Sequence, residues 1–156
     1  MKLWTVGTSK RSMKEFLHVL RAYQIKVIVD VRRFPTSRYR HFKQEPFKEC
    51  LEQHGIEYQH VIKLGGYRKG GYRKYMKTAD FERGLACVEE LAASKRVALM
   101  CAELLFSHCH RRFIADALTL RGHTVVHIVD DKRSYEHKGK DDKEVDRKLD
   151  EFLEKE

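Results

Sequence analysis

The sequence is short of several things that would settle its class at once. Its 156 residues hold only two prolines, Pro35 and Pro46, and no repeat or low-complexity linker interrupts it. With 42% hydrophobic and 35% charged residues, this composition excludes a disordered or fibrous chain and fits one domain with its own core. No apolar run approaches the ~20 residues that span a bilayer, and the N-terminus lacks an export signal. A cytoplasmic protein with no membrane partner is therefore expected. There is no Gly-x-x-x-x-Gly-Lys phosphate loop and no Cys-x2-Cys knuckle, and adjacent Cys and His rarely chelate one ion. No metal and no cofactor are expected. The four cysteines, Cys50, Cys87, Cys101 and Cys109, are widely spaced, as thiols of a reducing compartment are. Cys50 and Cys87 fall inside predicted helices and read as small buried hydrophobes.

What is abundant is positive charge, unevenly spread. The net charge is +9; residues 1–129 hold 24 basic and 12 acidic side chains, and residues 130–156 hold 8 and 11. Residues 30–77 alone carry 12 Lys and Arg against 5 Asp and Glu. Such a concentration attracts phosphates and polyanions.

The pattern along the chain alternates between strand and helix. Leu3 to Val6 reads as a strand, and Ser12 with Glu15 forms a capping box for a helix striped by Met13, Phe16, Leu17 and Leu20. Val27 to Val31 is a buried strand, Phe47 and Leu51 mark a helix, and Ile56 to Val61 alternates like a strand. Thr78 caps a helix facing inward through Phe81, Leu85, Val88 and Ala92. Arg96 to Ile128 is the richest stretch: strand, loop, a helix opened by Cys109-His110-Arg111-Arg112 and closed by Gly122, then a second strand. This order predicts a single α/β domain over residues 1–130, with a mostly parallel sheet of about five strands and helices on both faces. Residues 131–156 read as a charged helical extension with Val145, Leu149, Phe152 and Leu153 on one side.

In such sheets ligands bind at the C-terminal ends of the strands. Three loops should meet there: Gly7 to Arg11, Asp30 to Arg33 and Cys101 to Arg112. Thr8 and Ser9 precede a helix N-terminus, a setting that holds anions. Arg32, Arg111 and Arg112 add cations, with Cys109 and His110 beside them. Asp30 reads as an acid–base group or as the ion-pair partner of Arg32 or Arg112. Cys101, at a strand end near two arginines, reads as an activated thiol or as an inert half-buried one. Glu103 reads as a general base or nucleophile, or as a salt-bridge partner of the same arginines. His108 is a further acid–base candidate.

Two loops interleave cations with aromatic rings: Arg38, Tyr39, Arg40, His41, Phe42 and Lys43, then Tyr67, Arg68, Lys69, Gly70, Gly71, Tyr72, Arg73, Lys74 and Tyr75. Arg and Lys contact phosphates while aromatic rings stack on bases. Nucleic-acid contacts are accordingly expected from Arg38, Arg40, Phe42, Arg68, Lys69, Tyr72, Arg73 and Tyr75, unless the tyrosines fold onto the core. The glycines leave the second loop free to act as a lid.

Together, Val-Gly-Thr-Ser-Lys-Arg-Ser, Val-Ile-Val-Asp-Val-Arg with Pro35, Leu64-Gly65-Gly66, and Ala-Leu-Met-Cys-Ala-Glu followed by His-Cys-His-Arg-Arg-Phe resemble the domain-of-unknown-function 488 family over about residues 3–130. The resemblance implies a compact α/β domain with a site at Thr8, Ser9, Asp30, Arg32, Cys101, Glu103, Cys109, His110 and Arg111. A more distant similarity is to the rhodanese and cysteine-phosphatase arrangement, although the nine residues between Cys101 and Arg111 exceed the usual cradle. The functional expectation is an enzyme-like domain acting on a phosphate-bearing small molecule or nucleic acid, with Cys101 and Glu103 at the reacting centre and Asp30 assisting. Rhodanese-like sulfur transfer through Cys101 and a non-catalytic nucleic-acid-binding module are the alternatives.

Overall fold

The computed structural model describes residues 1–106 and 109–138. Six strands form one sheet in the order β3-β2-β4-β1-β5-β6. They are β1 (Lys2–Gly7), β2 (Val27–Asp30), β3 (Glu57–His60), β4 (Val97–Cys101), β5 (Thr124–Ile128) and β6 (Ser134–Glu136). The first five run parallel, and β6 returns antiparallel to β5. The sheet has one strand more than expected. Asp130 accepts from the Lys132 and Arg133 amides, at 2.9 and 2.7 Å, and this turn folds Ser134–Glu136 back as a strand where a helical extension was expected. The tail helix and His108 lie outside the described residues.

Strand sequence explains strand position. β2 and β4 are buried along their whole length, and apart from Asp30 at the end of β2 they read as apolar runs, as central parallel strands do. Their side chains alternate between two cores. Trp4, Val6, Ile28, Ala98 and Met100 meet α1 (Met13–Ala22) and α2 (Gln44–Gln53) through Phe16, Leu20, Phe47 and Leu51. Leu3, Val27, Val29, Val97, Leu99 and Cys101 meet α4 (Ala79–Ala92) and α5 (Arg111–Leu120) through Phe81, Leu85, Val88, Ile114 and Leu118. A one-turn helix, α3 (Tyr72–Tyr75), lies in the loop before α4. The Ser12–Glu15 capping box and the Thr78 cap form as expected.

Chain order now fixes where a ligand can enter. The connections leaving β1 and β2 go to the α1/α2 face, and the connection leaving β4 goes to the α5 face. Neighbouring strands whose connections diverge leave a crevice at their C-terminal ends. β4 lies between β1 and β2, so the crevice opens above Cys101. No helix among the described residues is long and apolar enough to cross a membrane.

Candidate active site

The floor of the crevice is a pair of thiols. Cys101 ends β4 facing α5, and Cys109 sits two residues before that helix. Their Sγ atoms are 2.7 Å apart, with neither in a disulfide. The Arg111 amide points at Cys109 Sγ from 3.4 Å, and His110 Nδ1 lies 3.6 Å from the same sulfur. His110 Nε2 is 2.7 Å from the Val31 carbonyl. A carbonyl only accepts, so Nε2 carries the proton and, in the neutral ring, Nδ1 presents a lone pair to Cys109. Burial lowers the His110 pKa and so favours that neutral ring.

Beneath the sulfurs is Arg111, a guanidinium only 1% exposed. One terminal nitrogen donates to Thr5 Oγ1 at 3.2 Å; the other donates to the Glu103 and Leu104 carbonyls at 2.6 and 3.3 Å. Nε has no hydrogen-bond partner. Among the described residues no carboxylate pairs with Arg111. A buried cation without an anion costs several kcal/mol, and the anion available is a thiolate. Burial pushes the Cys109 thiol up, but the hydrogen bond from Cys101, the Arg111 charge and the Arg111 amide outweigh it and bring the pKa to about 6. Burial and the bond to Cys109 push Cys101 well above the ordinary range despite Arg111. The two sulfurs titrate as an interacting pair, with the lower pKa on Cys109. Cys101, expected as the activated thiol, is the more deeply buried of the two and the harder to ionise.

Above this floor the cleft encloses about 670 Å³. Phe34 and Tyr67, 62% and 85% exposed, stand at its mouth with ring centroids 6.3 Å apart. The Arg33 guanidinium lies 5.6 Å from the Phe34 ring and donates to the Tyr67 carbonyl. Arg68 donates to the Gly65 carbonyl at 2.9 Å and to that of Ile62. Gly66 abuts the His110 imidazole, since a Cβ there would sit 3.1 Å from its Nδ1. Glu103, Arg32 and Thr36 complete the walls.

The other expected site residues divide sharply. Asp30 and Arg32 form a buried ion pair: the carboxylate accepts Arg32 Nε at 2.9 Å, its terminal nitrogen at 2.8 Å, its amide at 3.0 Å and the Tyr58 hydroxyl at 2.6 Å. The remaining Arg32 nitrogen reaches the Phe42 and Thr36 carbonyls. With every acceptor lobe of Asp30 filled, the ion-pair reading holds in place of the acid–base one. Thr8 is buried, its amide bonded to the Cys101 carbonyl at 2.9 Å, and the Ser9 amide reaches Ala102 at 2.9 Å. This loop therefore buttresses the β4 loop. Ser9, Lys10 and Arg11 line a separate hollow of about 270 Å³. Arg112 lies over the Phe113 ring at 4.5 Å and does not line the cleft.

The basic loops also need correction. Phe42 is fully buried between Phe16 and Phe47 and cannot stack on a base. Tyr72 is 9% exposed, stacks on Phe113 and donates to the Leu64 carbonyl at 2.7 Å. Tyr75 is half-buried and donates to the Lys63 carbonyl at 2.6 Å, under Arg68. These tyrosines anchor the loop instead of facing a strand. Arg38, Arg40, Lys69 and Arg73 are exposed. Cys87 is exposed and Cys50 half-buried, because α4 buries the face of Phe81, Gly84, Leu85 and Val88 and leaves position 87 off it. Sequence reasoning places Arg33 in the second converging loop without a role, and misses Phe34 and Thr5. Phe34 follows directly after Arg33 beyond a strand end, which is the signal that marks it.

The matched part of the chain covers all the strands from β2 to β4 and most of the site. No curated protein and no solved structure matches the chain significantly. A family model, described as a domain of unknown function, DUF488, matches residues 12–118, well over half of the sequence, and the chain belongs to that family.

Proposed function

We propose that the protein is a thiol-dependent enzyme acting on a planar, phosphate-bearing ligand, a nucleotide free or within nucleic acid, with Cys109 as nucleophile. The carrying observation is a thiol with a pKa of about 6 at the floor of a cleft whose mouth holds an exposed aromatic pair and two cations. A thiolate at neutral pH is the reactive form of cysteine. Arg111 stabilises it, the Arg111 amide and Cys101 contact it, and the neutral His110 ring packs beside it. Phe34 and Tyr67 offer faces for a base, and Arg33 and Arg68 retain free donors for a phosphate. Glu103, on the cleft wall, is the acid–base carboxylate. Fluorescence anisotropy with a single-stranded oligonucleotide tests the ligand. Replacing Phe34 and Tyr67 by Ala should weaken binding roughly five- to hundredfold, the worth of about 1–3 kcal/mol of stacking, and leave the salt slope unchanged. Replacing Arg33 and Arg68 should flatten that slope. No binding at low salt refutes the ligand class. Binding that survives Cys109→Ser with no covalent adduct or product from the intact protein points to a non-catalytic module.

The contact between the two sulfurs favours a second reading, sulfur transfer. Cys109 would attack the outer sulfur of thiosulfate, displacing sulfite and leaving a persulfide. Cys101, 2.7 Å away, would then attack Cys109 Sγ and expel hydrosulfide, leaving a disulfide. Mass spectrometry after thiosulfate treatment should find one added sulfur on Cys109 in the Cys101→Ser protein; an unmodified Cys109 excludes this route.

A further inference from the structure

A buried chain of polar groups that the proposed chemistry does not use begins and ends on α5. Asp116 Oδ1 is 2.6 Å from His137 Nε2. His137 Nδ1 is 2.8 Å from His127 Nε2, and His127 Nδ1 is 2.6 Å from Thr5 Oγ1. Thr5 Oγ1 accepts from Arg111 at 3.2 Å. Topology explains the approach: Thr5 and His127 are opposite one another in β1 and β5, and the His137 amide closes on the Val125 carbonyl at 2.8 Å beyond β6. Phe106, from the loop that carries the thiols, stacks on the His127 ring at 3.7 Å and 3°, shielding it. Thr5, His127 and His137 are all buried, and the Asp116 side chain is 45% exposed.

A carboxylate only accepts and a guanidinium only donates. Asp116 therefore accepts from His137 Nε2, and Thr5 Oγ1 accepts from Arg111. Burial, then Arg111 and His137, lower the His127 pKa, so this ring stays neutral and links the two as one donor and one acceptor. Whichever way the two inner bonds run, Thr5 Oγ1 keeps a lone pair for Arg111.

We propose that Thr5, His127, His137 and Asp116 are positioning residues, a hydrogen-bond chain that seats Arg111 beneath the two sulfurs and so tunes the reactivity of Cys109. The proposal rests on the reading of Cys109 as the reactive thiolate. Arg111 has few other restraints: Nε is unpartnered, and its other bonds go to two carbonyls of the thiol loop. Thr5 accepts a hydrogen bond from it on β1, beside the attraction of Cys101 on β4.

The test is the pH profile of iodoacetamide alkylation at Cys109, followed by mass spectrometry. The groups facing Cys109 are Cys101 on β4, His110 and Arg111 on α5, and Tyr72 on α3; the variants change none of them. Thr5→Val should raise the alkylation midpoint by about half a unit or more, roughly a threefold loss of thiolate below the midpoint. Thr5→Ser, which keeps the hydroxyl, should restore it. Asp116→Ala, at a partly exposed position, should raise it in the same direction. Unshifted midpoints in Asp116→Ala and in a folded Thr5→Val overturn the chain's role. A midpoint near the ordinary cysteine value of about 8.5 in the unaltered protein overturns instead the reading of Cys109 on which the chain depends.

Discussion

Asp30→Asn separates a structural from a catalytic carboxylate. Asp30 is fully buried, and four donors converge on it, three from Arg32 and one from Tyr58. An amide of the same shape removes the charge and turns one acceptor into a donor facing other donors. The Arg32 side chain, 6% exposed, then becomes a buried cation without its anion. Breaking such a pair costs about 3–5 kcal/mol. At about 2–4 °C per kcal/mol for a domain of this size, the melting temperature should fall by roughly 6–20 °C. Thermal and urea unfolding followed by circular dichroism measure this directly. Well below its melting temperature the variant should still alkylate at Cys109, because Asp30 touches neither sulfur. A protein of unchanged stability that has lost its thiol reactivity or turnover would refute the structural reading and return Asp30 to the reacting centre.

The unaltered protein should already alkylate at Cys109 around pH 6.5, where that thiol is mostly ionised, and the rate should level off above about pH 7; a rate that keeps climbing up to the ordinary cysteine value of about 8.5 would contradict the shift. Gly7→Ala should destabilise the domain by more than about 2 kcal/mol, since the added Cβ would lie 1.8 Å from the Glu103 carbonyl oxygen and force apart the loops under the thiols; a normal melting curve would show that they yield freely. Phe42→Ala should cost about 3–5 kcal/mol of stability and Phe34→Ala within about 0.5 kcal/mol, with oligonucleotide binding following the opposite order. Equal losses in both measurements would undo the distinction between the core ring and the cleft ring.

The elements that read clearly were those whose pattern had a local cause. Ser12 with Glu15, Thr78, and the apolar runs Val27–Val29 and Val97–Cys101 each announce their structure within a few residues. Position at the strand ends likewise brought Cys101, Glu103, Cys109, His110 and Arg32 to one cleft. What sequence could not resolve was which partner each group takes. Cys101 and Cys109 lie eight residues apart, and their order of acidity depends on which sulfur is deeper and which receives the helix amide. Phe42 and Phe34 both sit in the same basic loop, yet one fills the α1/α2 core and the other faces solvent, since irregular backbone gives no periodicity to read. The short β6 hid in a charged stretch because a turn around Asp130, not hydrophobicity, creates it.

The place of β4 in the sheet has a consequence for how the protein assembles. β1 and β2 are never neighbours; the strand between them comes from far later in the chain. A nascent chain ending before Val97 has two apolar strands with open edges facing a gap, and nothing to pair them. Closing that gap requires contacts of long sequence separation, which slow folding and leave sticky edges exposed in the meantime. The strand that closes it also carries Cys101 and leads into Cys109 and Arg111. The approach of Cys101, Cys109 and Arg111 therefore comes into being only once β4 has entered the sheet, and a chain in which it has not lacks the arrangement that lowers the Cys109 pKa.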